Sequence, residues 1–180
     1  MTWSRIARRI RVPLGFAFAA FYLWRALPTW LSLAIGGGIA LIGVALRAAA
    51  SGHITKNSEL TTSGPYAHTR NPLYLGSMVI ALGFAVAAWS WLIVAALLLL
   101  FAAIYIPVIL AEEAFLRSRF PEFDEYARQV PRLWPRLRPQ AAAAGSFSRQ
   151  RYLQHREYNA LIGTAVMIGA LVAKLFWAGR

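Results

Sequence analysis

Apolar residues run through this chain in unbroken stretches, and the polar ones gather between them. A membrane-crossing helix needs about 20 mostly apolar residues. Five stretches approach that length: Val12 to Leu27, Trp30 to Ala50, Pro72 to Ala88, Ser90 to Leu110 and Tyr158 to Trp177. The pattern therefore predicts an all-α fold, a polytopic membrane helical bundle of about five transmembrane helices. So few residues separate the first stretch from the second, and the third from the fourth, that each pair reads as a tight hairpin. Trp24, Trp30, Trp89 and Trp91 sit at those turns, as an interfacial aromatic belt does. Pro28 occupies the first turn, and Pro107 predicts a kink near the exit of the fourth helix. Gly36, Gly37 and Gly38 fall inside an apolar helix and favour close packing; they lack the strand and helix context of a dinucleotide loop.

Composition supports this class. The 180 residues are 58% hydrophobic and 14% charged, with mean hydropathy +0.49. A soluble domain carries about a quarter charged residues. The net charge of +12 raises nucleic acid as a partner, but the basic residues flank apolar spans and form no separate basic domain. No nucleic-acid role is expected. Cysteine is absent, which excludes disulfides, thiolate metal sites and a cysteine nucleophile. The N-terminal arginines precede an apolar segment without a convincing small-residue cleavage site, so this segment reads as an uncleaved first span.

Charge sets the expected topology. Arg5, Arg8, Arg9 and Arg11 precede the first span, Lys56 and Arg70 lie between the second and third, and nine arginines from Arg117 to Arg156 follow the fourth. The positive-inside rule makes that side cytoplasmic and sends the C-terminus outside if the fifth span crosses. Every acidic and histidine residue falls on the same side, so chemistry is expected to face the cytoplasm, from a bacterial inner membrane. The organisation reads as a core over 1–139, a linker and interfacial segment over 140–157, and a C-terminal helix over 158–180. Gly163 and Gly169 in that helix offer a face for packing on the bundle or on a second copy as a homodimer.

The segment Gly64-Pro65-Tyr66-Ala67-His68-Thr69-Arg70-Asn71-Pro72-Leu73-Tyr74-Leu75-Gly76 concentrates turn formers, aromatics and a cation just before an apolar run. Asn71 reads as a helix N-cap and Pro72 as the first helical residue, which leaves amides and a positive dipole end suited to an anion. Glu112 and Glu113 stand at the end of the fourth span. A charge at the bilayer centre costs about 2.5 to 3.5 kcal/mol on insertion scales, so the pair needs partners or an interfacial setting. A solvated helix end paired with Arg117 or Arg119 is the plain alternative. Downstream, Phe120, Tyr126 and Trp134 read as interfacial anchors in a short amphipathic cap. Arg132, between Pro131 and Pro135, is rigidly presented and suited to a carboxylate. His53 and His68 are too isolated for a metal site and read as solvated loop residues.

The run Gly64-x-Tyr66-x-x-x-Arg70-Asn71-Pro72-x-Tyr74-x-Gly76, followed by Glu112-Glu113, Phe120, Tyr126 and Val130-Pro131-Arg132, resembles the isoprenylcysteine carboxyl methyltransferase-like family, which is related to the phospholipid N-methyltransferases. The likeness covers roughly Ala49 to Pro135. It implies a membrane enzyme with a cytoplasmic cofactor-binding cap, taking S-adenosylmethionine from the cytoplasm and a lipid or prenylated acceptor from the bilayer. By the resemblance, Ser58, Glu59, Leu60 and Thr61 line the cofactor pocket, with Gly64 and Tyr66 as turn and aromatic wall. Asn71, Pro72, Leu73 and Tyr74 form the helix start against the cofactor, and Glu112 is the acid that holds it. Arg70, Asn71 and Glu113 are candidate catalytic residues, and Arg132 a candidate substrate-binding residue. Two positions depart from the pattern: Asn71 stands where many members have histidine, and Val108 where isoprenylcysteine enzymes have a substrate-contacting arginine.

Methyl transfer from a sulfonium is an in-line displacement with the leaving group already activated, so a protein needs chiefly to align the reactants and exclude water. Glu113 or His68 is available as a base where the acceptor has a proton to lose. Two rival readings are an NADPH-dependent membrane reductase of the sterol-reductase type and a non-catalytic scaffold that binds headgroups.

Overall fold

The computed structural model describes residues 3–55, 59–139 and 145–178, and these are helical with no strand among them. Helix α1 (Trp3–Arg25) turns through Pro28 into α2 (Trp30–His53); α3 (Pro72–Ala88) follows a 3-10 turn at Gly64–Ala67. Next come α4 (Trp91–Leu100), a π segment (Phe101–Tyr105) and α5 (Ile106–Arg119), then α6 (Phe123–Gln129), α7 (Arg149–Gln154) and α8 (Tyr158–Ala178). Among the described residues three helices are long and apolar enough to cross a membrane: α2, the continuous Trp91–Arg119 helix, and α8 from Tyr158 to Trp177. Apolar α3 has 17 residues and covers about 26 Å at 1.5 Å per residue, a little under the hydrocarbon thickness.

Tight contact between α2 and α3 is a consequence of glycine spacing. Gly36 and Gly43 on α2, and Gly76 and Gly83 on α3, are each seven residues apart and so share a face. A Cβ on Gly43 would lie 2.7 Å from the Gly76 carbonyl oxygen, and one on Gly83 would lie 2.5 Å from the Ala40 nitrogen. Lipid tails supply no hydrophobic drive between helices, so close backbone approach replaces it. Of the glycine triplet, Gly36 makes such an approach, whereas Gly38 has open space. Gly163 and Gly169 also have nothing within 4 Å.

At one end of the bundle, Thr29 and Ser32 form a capping box, and the Ser32 hydroxyl donates to the Ala87 carbonyl at 3.1 Å. Leu27 N–H donates to the Ala88 carbonyl at 2.9 Å, fixing the two hairpins together. Lys174 of α8 donates to the carbonyls of Leu23 at 2.6 Å and Ala26 at 2.7 Å, a cation placed on the C-terminus of α1. Trp24, Trp30, Trp89, Trp91 and Trp177 are exposed around this end, as the belt pattern anticipates.

The opposite end carries the polar segments. Pro107 has no N–H and its ring crowds the carbonyl one turn back, and the π segment immediately before it takes up the mismatch. The helix does not stop at Leu110 but continues to Arg119. Glu112 and Glu113 are therefore interior to a helix, and no unfavourable helix-end charge arises. Beyond it, Phe120, Phe123, Tyr126 and Val130 form a small core with Leu60 and Leu116. Phe120 and Tyr126 are buried and do not anchor the interface; Trp134 is exposed. Residues 68–70 zip to 131–136: Arg70 N–H donates to the Pro131 carbonyl, Arg136 N–H to that of His68, and the Thr69 hydroxyl to that of Arg132. The linker residues 140–144 lie outside the described residues, while α7 sits on the end of α2, with Arg151 donating to His53 O and Thr55 Oγ1.

Candidate functional site

Gly64 sets the first wall of the site. It has φ +58, and a Cβ there would lie 2.5 Å from the His53 ring, so a glycine is required twice over. The 3-10 turn it opens buries Tyr66, whose hydroxyl has no hydrogen-bond partner among the described residues. Burial raises the phenol well above its ordinary pKa, with Glu112 adding to the rise, so Tyr66 remains a proton donor. The Tyr126 hydroxyl donates to the Tyr66 carbonyl at 2.8 Å and pins the turn to α6.

Pro72 opens α3 as the sequence predicts, but Asn71 caps nothing with its side chain. Its amide donates instead to Glu113 Oε1 and to the Arg132 carbonyl, both at 3.1 Å. Glu113, only 3% exposed, also accepts from Arg132 Nε at 3.0 Å and lies 3.3 Å from Arg70 Nε. Burial lowers the Arg70 pKa, and Glu113 acts against that. This carboxylate with its two guanidiniums bolts α5, the start of α3 and the 130–136 segment into one unit. Such a buried carboxylate is retained because its lone pairs are met by charged donors.

Glu112 is the next residue and has the opposite setting. Successive helical residues point about 100° apart; Glu112 is exposed and accepts a 2.8 Å hydrogen bond from the Tyr74 hydroxyl. Two cavities meet at this pair. The smaller, about 100 Å³, is lined by Glu59, Leu60, Thr61, Tyr66, Arg70, Asn71, Pro72, Leu73, Tyr74, Glu112 and Glu113, and by Phe115, Phe120, Phe123 and Tyr126. The larger, about 600 Å³, is lined mostly by apolar residues of α1, α3, α4 and the π segment, including Phe18, Met78, Leu97 and Phe101. Ile54, Leu73, Tyr74 and Glu112 line both.

The smaller chamber thus gathers most of the residues singled out in the sequence. Gly64 stands behind Tyr66 as the turn former, and Ser58 lies outside the described residues. Arg132 lines neither cavity; the Nε and Nη2 edge of its guanidinium faces Glu113 Oε2. His68 lines neither cavity as well, and it is not a free loop residue: its Nδ1 donates to the Arg136 carbonyl at 2.8 Å. His53 Nδ1 donates to the Ala49 carbonyl at 2.8 Å. Among the described residues no three His, Asp or Glu side chains gather as metal ligands.

The sequence reading passed over Phe115, and also Arg47 with its partner Glu157. A lone arginine inside an apolar span was the available signal, since an ionisable residue in such a span is a functional candidate by default.

Over 82 residues the chain is 48% identical to the cobalt-zinc-cadmium resistance protein CzcN of Cupriavidus metallidurans and 44% identical to the nickel-cobalt-cadmium resistance protein NccN of Alcaligenes xylosoxydans xylosoxydans. Each match covers 46% of this chain and 38% of the relative, so the chain matches well under half the length of either. No solved structure matches. The phospholipid methyltransferase family profile matches residues 26–122, which contain α2, the hairpin of α3 and α4, the Gly64 turn and the Glu112-Glu113 pair, and the chain belongs to that family.

Proposed function

We propose that this chain transfers a methyl group from S-adenosylmethionine to a lipid-like or isoprenoid-bearing amphiphile held in the bilayer, by carboxyl O-methylation or headgroup methylation. The observation that carries the reading is the meeting of two chemically different cavities at Tyr74 and Glu112. A polar chamber built by the loops suits a soluble cofactor, and an apolar cavity between helices suits a hydrocarbon tail.

The residues present fit the cofactor. The buried Tyr66 hydroxyl has no partner among the described residues, and a ligand acceptor would supply one. Glu112 offers a carboxylate to ribose hydroxyls, and Glu59, Leu60 and Thr61 form the adjoining wall. Two guanidiniums against one carboxylate at Glu113 leave one surplus positive charge beside the first amides of α3. One charge matches one amino-acid carboxylate. The phosphates of NADPH would ask for several, which disfavours a reductase. The scaffold reading gives no account of an orphaned buried hydroxyl. When bound, S-adenosylmethionine supplies an activated methyl group.

The protein's own contribution is alignment. Glu113 holds Arg70, Asn71 and Arg132 in place, so Arg70 and Asn71 present their backbone and charge to the chamber while Glu113 itself is not available as a base. Arg132 acts through Glu113 and does not touch the acceptor. Tyr74 and Glu112 stand at the junction, where donor and acceptor would be aligned. The acceptor enters sideways from the bilayer, with the chamber facing the cytoplasm, the orientation that the positive-inside rule favours for this arginine distribution. The core over 1–139 carries the chemistry, and Glu157, just before the C-terminal helix, reaches the acceptor cavity.

The test uses purified protein in phospholipid nanodiscs with methyl-labelled S-adenosylmethionine and membrane lipid extract, followed by mass spectrometry of the lipids. A labelled, protein-dependent lipid is expected. Absence of S-adenosylhomocysteine binding in a calorimetric titration would overturn the assignment, and labelling of water-soluble acceptors alone would remove lateral entry.

A further inference from the structure

Arg47 lies in the apolar body of α2, six residues before its end, and Glu157 immediately precedes α8. Arg47 Nε donates to Glu157 Oε2 at 3.0 Å, and its Nη2 donates to Oε1 at 2.9 Å and Oε2 at 2.7 Å. The other side of the guanidinium belongs to α3: Nη1 donates to the Leu73 carbonyl at 3.2 Å and to Ser77 Oγ at 2.5 Å. The guanidinium is thus fixed in place without Glu157. Its outer edge forms the two-pronged fork that carboxylates and phosphates match.

The pair is not packed solid. Side-chain exposures are 22% for Arg47 and 14% for Glu157, and both line the larger cavity. Arg47 also lines a third cavity of about 590 Å³ that opens between α1, α3 and α8 and shares Gly15, Phe18, Ser77, Ala81, Leu97 and Tyr105 with it. An apolar route between helices therefore leads to a fixed guanidinium next to Leu73, one residue from the junction. Glu157 is delivered to it by a short turn in which Arg156 adopts φ 53, a backbone that side chains other than glycine rarely take.

We propose that Arg47 is the receptor for an oxyanion on the acceptor, a carboxylate or phosphate at the head of an apolar tail, and that Glu157 occupies it as an internal stand-in until the amphiphile arrives. The inference deepens the methyltransferase reading and rests on it for the identity of the acceptor. A pair so placed neutralises the guanidinium in the empty cavity. The incoming oxyanion replaces Glu157 on the same fork, and the bonds from Nη1 to α3 stay as they are. Selectivity then follows: a neutral amphiphile leaves the Arg47 to Glu157 bonds intact and gains no charged partner.

A permanent lock of α8 on α2 makes the opposite forecast, and the two separate by sign. The full chain in phosphatidylcholine nanodiscs is titrated with tritiated hexadecanoate, with hexadecyl phosphate and, as the neutral control, with hexadecanol. Glu157→Gln removes the competing charge and is expected to tighten both anionic probes, while Arg47→Gln weakens them by about tenfold or more, the scale of losing hydrogen bonds to a charged group. Hexadecanol should bind all variants alike. Preference between the two anionic probes identifies the headgroup. Shifts of both single variants in the same direction, or no shift in either, would overturn the proposal. The double variant Arg47→Gln/Glu157→Gln leaves no unpaired charge and serves if a single variant fails to fold: loss of anionic binding with hexadecanol retained supports the receptor, and unchanged anionic binding overturns it. S-adenosylhomocysteine affinity, measured in parallel, should be unchanged in every variant. Its absence from wild type would remove the methyltransferase reading and leave the oxyanion result standing.

Discussion

Glu112 and Glu113 are chain neighbours with the same side chain, yet they belong to regions with opposite physics. Around Glu113 the carboxylate is buried and met by Asn71, Arg70 and Arg132 from two separate loops. Around Glu112 it is exposed at the junction of two cavities and accepts from the Tyr74 hydroxyl, its one partner among the described residues. A fully engaged carboxylate holds the fold, and a partly engaged one has lone pairs left for a ligand. The difference teaches that charge in a membrane-protein site is sorted by the number of donors the fold supplies.

The largest expected effect tests the first region. Glu113→Ala leaves two guanidiniums without their carboxylate and should destabilise the protein by about 3 to 5 kcal/mol, the scale of breaking a buried pair. Thermal unfolding in detergent measures it, and a melting temperature near wild type would end the claim that this cluster bolts the cap. Next comes Glu112→Gln, which should leave unfolding unchanged while S-adenosylhomocysteine affinity falls by about ten- to a hundredfold, as for loss of charge-assisted hydrogen bonds. If stability fell and affinity held, the roles of the two glutamates would be reversed.

A smaller effect is expected at Tyr66. Tyr66→Phe deletes a buried hydroxyl that has no partner among the described residues, so the ligand-free protein should be no less stable, whereas cofactor affinity should drop by about threefold to tenfold. Reduced stability without change in affinity would mean that the hydroxyl serves the fold. The smallest effect belongs to Glu122→Gln, an exposed carboxylate on the cap outside both cavities. Neither unfolding nor calorimetric affinity should change, and a change in either would extend the site over the cap surface.

Much of the bundle was legible along the chain because hydrophobic length and helix punctuation are local. Pro72 at the start of α3 and the tryptophans around the far end need only their own neighbours in sequence. The residues of the smaller chamber were legible through a motif resemblance. The Asn71 side chain was misread because capping is a local rule, and the side chain is held instead through its Nδ2 by Glu113, 42 positions away. Similarly, the helix expected to end at Leu110 runs on because Ala111 to Arg119 continue it and the cap core packs on Leu116.

Sequence alone determined that this chain is a helical membrane protein and that its chemistry-bearing segments share one end, because span length, charge asymmetry and turn residues act over a few residues at a time. Only the tertiary structure decided which glutamate is structural, which faces the cavities, and that Arg47 meets Glu157 across 110 positions. Periodicity assigns a residue to a helix face, but the neighbour on that face is set by how helices pack, and donors converge on a carboxylate only once the packing is complete.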